Sequence, residues 1–199
     1  MAPSPHRLDA ASPPAATPPG GETAPAGKTT AEGGLALTRL SLRDFRNYST
    51  ARLESAGGCV VLCGPNGAGK TNVLEAISTL SPGRGLRGAA LSDLQRHGAD
   101  SGWSVAARLQ TPDGDVDIGT GLSGNATESE DENDEAEPGR RLVRVDGRNA
   151  AGPAALARLL RLVWLTPQMD RLFTEGASSR RRFLDRLVLG FDPDHGRRV

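Results

Sequence analysis

A mixed α/β domain is the fold class this sequence predicts, and three patterns carry that expectation. A short continuous apolar run, CVVLC at 59–63, enters a glycine-rich turn and leaves in TNVLEAISTL, whose apolar residues recur at helical spacing. LALTRLSL at 35–42 alternates apolar and polar residues, as a half-buried strand does. Between residues 103 and 149, several short strand-like runs are broken by Pro, Asp and Gly. At 199 residues the chain is long enough for one sizeable domain. Its hydrophobic content is 37%, and no apolar stretch approaches the ~18 residues of a membrane span.

Residues 1–34 hold half of the 14 prolines, interspersed with Ala, Thr, Ser and Gly. Such a segment buries too little apolar area to offset its ordering entropy, which predicts a disordered tail. Its opening lacks the apolar centre of a secretory signal, which predicts a cytoplasmic location. Gly27-Lys28-Thr29 imitates the end of a phosphate loop, but Glu22 stands where the first glycine belongs and no strand precedes it.

The folded part, 35–199, then reads in order. LALTRLSL is the first strand, with Leu35, Leu37, Leu40 and Leu42 expected to face inward. FRNYS turns, and ARLE reads as a short second strand. CVVLC is too short for a globular helix and rich in valine, so it reads as a strand buried on both faces, with Cys59 and Cys63 as buried thiols. TNVLEAISTL is a helix with Val73, Leu74, Ile77 and Leu80 on its apolar face, ending before Pro82. WSVAARLQ and DVDIGTGL are a hairpin joined at TPDG, and RLVRV enters an Asp146-Gly147 turn. PAALARLLR is a short helix with Pro153 in its first turn, LVWLT a strand, and SSRRRFLDRLVLG a helix capped by Ser178 or Ser179.

Charge is balanced at 24 basic and 24 acidic residues, but unevenly spread. ESEDENDEAE at 128–137 lies in a segment, 124–139, that reads as a disordered, solvated loop. The rest is basic and almost wholly arginine, with Lys70 the sole lysine outside the tail. The two cysteines and three scattered histidines lack the spacing of a zinc site.

Gly64-Pro65-Asn66-Gly67-Ala68-Gly69-Lys70-Thr71 satisfies G-x-x-x-x-G-K-[ST] in full. Glycines permit the backbone angles that turn successive N–H groups around an anion, and the following helix adds its positive end. Lys70 supplies a point charge for β- and γ-phosphates and Thr71 a hydroxyl for Mg²⁺, so ATP with Mg²⁺ is the expected ligand.

Around this loop the chain resembles the RecF family of SMC-type, ABC-like ATPases. LTRLSLRDFRNY, GPNGAGKTNVLEAI, GRGLRGAALSDLQRHG and TPQMDRLFTEGASSRRRFLD are similar to the family's blocks and stand in the same order. Gln168 departs from them, since the family usually carries an acidic residue after that proline. The resemblance implies an ATPase head of ABC/SMC type, here incomplete, because family members are roughly twice this length. Their Walker B and signature motifs lie in the C-terminal half; LVLGFD at 187–192 and Leu122-Ser123-Gly124 imitate them in the wrong context.

The resemblance also implies an ATP-dependent homodimer that binds single-stranded or gapped DNA. It would act with the RecR and RecO mediators in recombinase loading and SOS induction, with slow DNA-dependent turnover. By position, Arg46 is a phosphate or base contact, Arg84 and Arg87 are contacts to phosphate of DNA or of ATP, and Gln168 resembles the Q-loop glutamine of ABC ATPases. Arg180, Arg181 and Arg182 point about 100° apart on a helix and so cannot all face one partner. A nucleotide-binding fragment without turnover and a small-molecule kinase are the alternative readings.

Overall fold

The computed structural model describes residues 34–123, 140–167, 169, 174 and 176–192. The predicted tail through residue 33, the acidic segment at 124–139, and Gln168 lie outside them.

Alternation in the sequence becomes one antiparallel sheet of six strands. These are β1 (Ala36–Phe45), β2 (Tyr48–Glu54), β3 (Gly102–Thr111), β4 (Gly114–Ser123), β5 (Arg141–Val145) and β6 (Arg148–Asn149), ordered β2-β1-β3-β4-β5-β6. Three hairpins supply most of the pairing, and the β1–β3 and β4–β5 pairs join them into one sheet.

Leu37 and Leu40 are three residues apart, so a regular strand would send them to opposite faces. A register shift between Leu37 and Arg39 absorbs the extra residue. Leu40 and Leu42 therefore enter the core, and Leu37 packs at its edge. Leu35, expected inward with them, precedes the strand and is 45% exposed.

One face of the sheet gathers Leu40, Leu42, Phe45, Val105, Leu109, Ile118 and Val143 into a single apolar cluster. Phe45 meets Trp103 edge to face at 5.5 Å, and the Trp103 indole N–H donates to the Leu91 carbonyl at 2.7 Å. Helix α1 (Lys70–Ser78) lays Val73 and Ala76 on this cluster, with Leu80 just beyond its end. Helix α2 (Ala154–Leu159) adds Leu156. Helix α3 (Ala177–Phe191) follows, docked on the preceding segment by Arg161 over the Phe191 ring and Arg186 over the Trp164 ring.

Several expectations need correction. CVVLC is neither a strand nor buried: Val60 and Val61 are 60% and 76% exposed, and both cysteines are exposed. LVWLT forms no strand either, and Leu165 is 78% exposed. A doubly buried strand needs hydrogen-bonding neighbours and cover on both faces. The six described strands pair only among themselves, and neither segment joins the free edges at β2 and β6.

On α1, Leu74 is half exposed, and Glu75 holds the buried place beside Val73 and Ala76. Helix α3 begins one residue before the serines, so its N-cap is Gly176 with no side-chain cap, and Ser178 and Ser179 fall inside the first turn. LVLGF is the end of that helix, and Leu122-Ser123 closes β4, so neither look-alike has the strand or helix setting of the motif it imitates.

Candidate phosphate-binding site

The glycine-rich turn leads straight into α1, whose N-cap is Gly69. Gly64, Gly67 and Gly69 have φ of +148°, +84° and +97°, angles that L side chains resist. At Gly69 space enforces the same choice. An added Cβ would lie 2.5 Å from the Tyr48 hydroxyl and 2.8 Å from Asn47 Nδ2. The Gly69 carbonyl accepts the amides of Asn72 and Val73 at 2.8 and 3.1 Å. The Lys70 and Thr71 amides precede them, at the helix end that has no intrahelical acceptor. The loop thus presents glycine backbone and the positive end of α1 to one place.

Lys70 folds back over the loop. Its ammonium donates to the carbonyls of Gly64 and Pro65, both at 2.7 Å. Pro65, Asn66, Gly67, Ala68 and Thr71 are exposed along the rim. Lys70 and Thr71 open the helix that the loop enters, so the lysine, the threonine and the loop backbone stand side by side in the chain. The chemistry of the donor set fits a polyphosphate with Mg²⁺: one point charge, one hydroxyl and a row of amide-rich glycine backbone.

Beneath the loop lies a polar network that sequence reasoning missed in part. Glu75 is only 1% exposed, and its carboxylate receives a forked pair from Arg46, at 2.9 and 2.7 Å. Arg87 adds a third bond at 2.9 Å and also reaches Asn72 Oδ1 at 3.0 Å. Asn72 Nδ2 then donates to Asn47 Oδ1 at 2.8 Å. The Glu75 hydrogen bonds hold the Arg46 guanidinium above its ordinary pKa. Such an arrangement satisfies a carboxylate that would be costly alone.

Tyr48 completes the contact. Its hydroxyl donates to the Ala68 carbonyl at 3.3 Å, and burial raises its pKa, which favours the protonated donor. The β1–β2 turn, with Arg46 at φ +53°, is thereby clamped to both the loop and α1. The signal for this network was present. Glu75 is the only acid on α1, and an acid, once buried, requires cations.

The predicted arginines separate. Arg46 and Arg87 meet at Glu75, under the loop. Arg84 is exposed and points to a different cavity, walled by the Ser81–Gly85 turn, Trp164 and Arg186.

Arg141 was not anticipated. It lies partly buried at the start of β5 and donates to the Thr79, Ser81 and Gly83 carbonyls and to the Thr120 hydroxyl. It thus closes the carbonyl end of α1, where a cation also complements the helix dipole. Burial lowers its pKa to about 10, so it stays charged at neutral pH.

A family model described as the RecF/RecN/SMC N terminal domain matches residues 36–168. The DNA replication and repair protein RecF of Mesorhizobium japonicum is 52% identical over 163 residues, covering 82% of this chain and 40% of its own length. That of Rhizobium leguminosarum bv. trifolii is 53% identical over 165 residues, covering 83% and 41%. Among solved structures, the recombination mediator protein RecF with ATP, from the RecFOR pathway, superposes with a TM-score of 0.66 at 26% identity. That match covers 80% of this chain and 39% of the other. The chain spans about 40% of the length of the relatives it matches.

Proposed function

We propose, from the premise that this chain belongs to the RecF/RecN/SMC N-terminal domain family and is the N-terminal part of a RecF-type ATPase head, that it binds MgATP in the service of DNA replication and recombinational repair. The observation that carries this reading is the complete phosphate loop. Its three glycines have positive φ, Lys70 lies across it, and α1 opens from it. A RecF structure solved with ATP, similar at a TM-score of 0.66, supports the same ligand.

In this reading Lys70, now on the Gly64 and Pro65 carbonyls, would hold the β- and γ-phosphates. Thr71 contributes its hydroxyl to Mg²⁺. The Arg46–Glu75–Arg87 network keeps the β1–β2 turn against the loop. Arg46, already forked onto Glu75, has little freedom to follow a phosphate, so its role is positioning. Gln168 remains a Q-loop-like proposal. Glu75, the one carboxylate of α1, is occupied by two arginines. Turnover is accordingly assigned to groups contributed from elsewhere in a RecF-type head and from a second subunit, as an ATP-dependent homodimer would supply.

DNA, single-stranded or gapped, is the proposed substrate, with RecR and RecO as partners in recombinase loading and SOS induction in the cytoplasm. No described helix is long and apolar enough to cross a membrane. DNA contact through arginines and phosphates gives affinity that falls steeply with salt. Fluorescence anisotropy of a labelled gapped duplex, with and without MgATP across a salt series, tests the reading. The expected result is binding that MgATP tightens and salt weakens, and that strengthens when 128–137 is deleted. Binding indifferent to both MgATP and salt would refute it.

A further inference from the structure

The face of the sheet turned away from the apolar cluster is open, and strand register sorts its charges into rows. Leu40, Leu42, Val105, Ala107, Ile118 and Val143 point inward, so their neighbours in each strand point outward. One outward row, across β2-β1-β3-β4, reads Glu54, Arg39, Arg108 and Asp117, which is neutral, and Asp117 pairs with both of its arginines. The next row is Arg52, Ser41, Ala106, Gly119 and Arg144. The one after it is Thr50, Arg43, Ser104, Gly121 and Leu142. These last two rows carry three arginines and no acid.

Arg43 and Arg144 are exposed and meet no carboxylate among the described residues; Arg144 donates to Asn149 Oδ1 at 3.0 Å. Both line a trough of about 530 Å³ that runs over β3 and β4. Between them the outward positions are Ser104, Ala106, Gly119 and Gly121, none of which reaches far from the sheet. Three strand spacings, with the offset of one row, set the two arginine positions roughly 15 Å apart.

That pattern selects a ligand. Two unpaired guanidinium groups on either side of a low floor suit a polyanion with two charged ridges, and arginine forks onto phosphate oxygens. The floor carries no long side chain to read base edges, and no residue of these rows is aromatic, so bases have nothing to stack on. A duplex presents two phosphate lines that flank a major groove about 12 Å wide, which a single strand does not. We propose that this face is a docking surface for duplex DNA, indifferent to sequence, with Arg43 on one phosphate line and Arg144 on the other. The inference deepens the DNA reading and rests on it, assigning the face to the double-stranded flank of a gapped substrate.

The test uses the full chain and the anisotropy of a labelled blunt duplex, with MgATP present, across a salt series. Arg43→Gln and Arg144→Gln should each weaken binding by about tenfold and lower the salt slope by about 0.9, one phosphate's share on B-DNA. The two positions are far enough apart for their losses to multiply, so the double variant should lose about 100-fold. Ala106→Glu sets a carboxylate in the middle of the floor and should weaken binding by at least about tenfold through repulsion. Arg158→Gln removes the same charge from an exposed position of α2, which packs on the opposite face, and should leave affinity and slope unchanged. MgATP affinity should be the same in all of these proteins.

Oligo-dT should lose less affinity in the double variant than the duplex does; an equal loss would contradict the duplex assignment. A wild-type chain that binds no duplex would refute the DNA reading and the proposal together. Wild-type binding that keeps its affinity and salt slope in the double variant would refute the proposal alone. If poly-L-glutamate displaced the duplex as effectively as unlabelled duplex at equal charge concentration, the occupant would be an acidic protein segment. If the sedimentation coefficient of the chain without DNA or ATP fell in the double variant, the occupant would be a second copy. Either result would overturn the proposal.

Discussion

Gly69 shows how a single position ties the sheet to the loop. Its φ of +97° and the 2.5 Å approach of the Tyr48 hydroxyl each exclude a side chain. Gly69→Ala should therefore lower stability by about 1–3 kcal/mol, the usual scale for a strained backbone residue, and should weaken nucleotide binding as well. Removing Tyr48 in the same molecule would relieve the tightest contact but neither the Asn47 approach nor the strain, so Tyr48→Ala/Gly69→Ala should recover only part of the loss. Thermal unfolding followed by circular dichroism checks this, and full recovery in the double variant would assign the cost to the clash alone. The motif itself was legible, because its glycine, lysine and threonine requirements follow from phosphate geometry. The partners of Arg46 and Arg87 were not legible. Which acid an arginine meets is decided by the packing of α1 against the β1–β2 turn, and a linear pattern does not carry that.

Among the elements, those defined by local signals match their expected place. Asp113-Gly114 and Asp146-Gly147 mark two real hairpins, and the helix after the loop forms where its spacing placed it. Elements that depend on distant neighbours do not. CVVLC and LVWLT have the composition of buried strands, yet a strand of that kind exists only with partners on both edges, and neither segment has one in the described sheet. The error on α1 has a different cause. Hydrophobicity alone favours Leu74 inward, whereas two arginines waiting beneath the helix make Glu75 the better occupant. Two substitutions separate these faces. Leu74→Lys should change stability by no more than about 0.5 kcal/mol, because the side chain is half exposed. Leu80→Ala should cost about 2–5 kcal/mol, because Leu80 is fully buried in the apolar cluster. Urea unfolding of the two variants reads both values; comparable losses would mean that α1 packs in another rotation.

Across the whole molecule, one antiparallel sheet covers α1 and holds the loop at its edge through Tyr48, Asn47 and Arg46, while Arg141 fixes the far end of the same helix. The helix that carries Lys70 is thus braced at both ends by the sheet, which is what a loop must have to meet a phosphate without reorganising. The exposed apolar segments around Val61 and Leu165 lie on a chain that spans about 40% of its relatives' length. The central claim is that this braced loop binds nucleotide phosphates through Lys70. Isothermal titration of MgATP into the wild-type chain and into Lys70→Ala measures it most directly. The account predicts a saturable exothermic isotherm for the wild type and affinity reduced by at least about 100-fold in the variant, the effect of removing a charge-assisted contact to a phosphate together with its positioning. Equal affinity in the two proteins would contradict it.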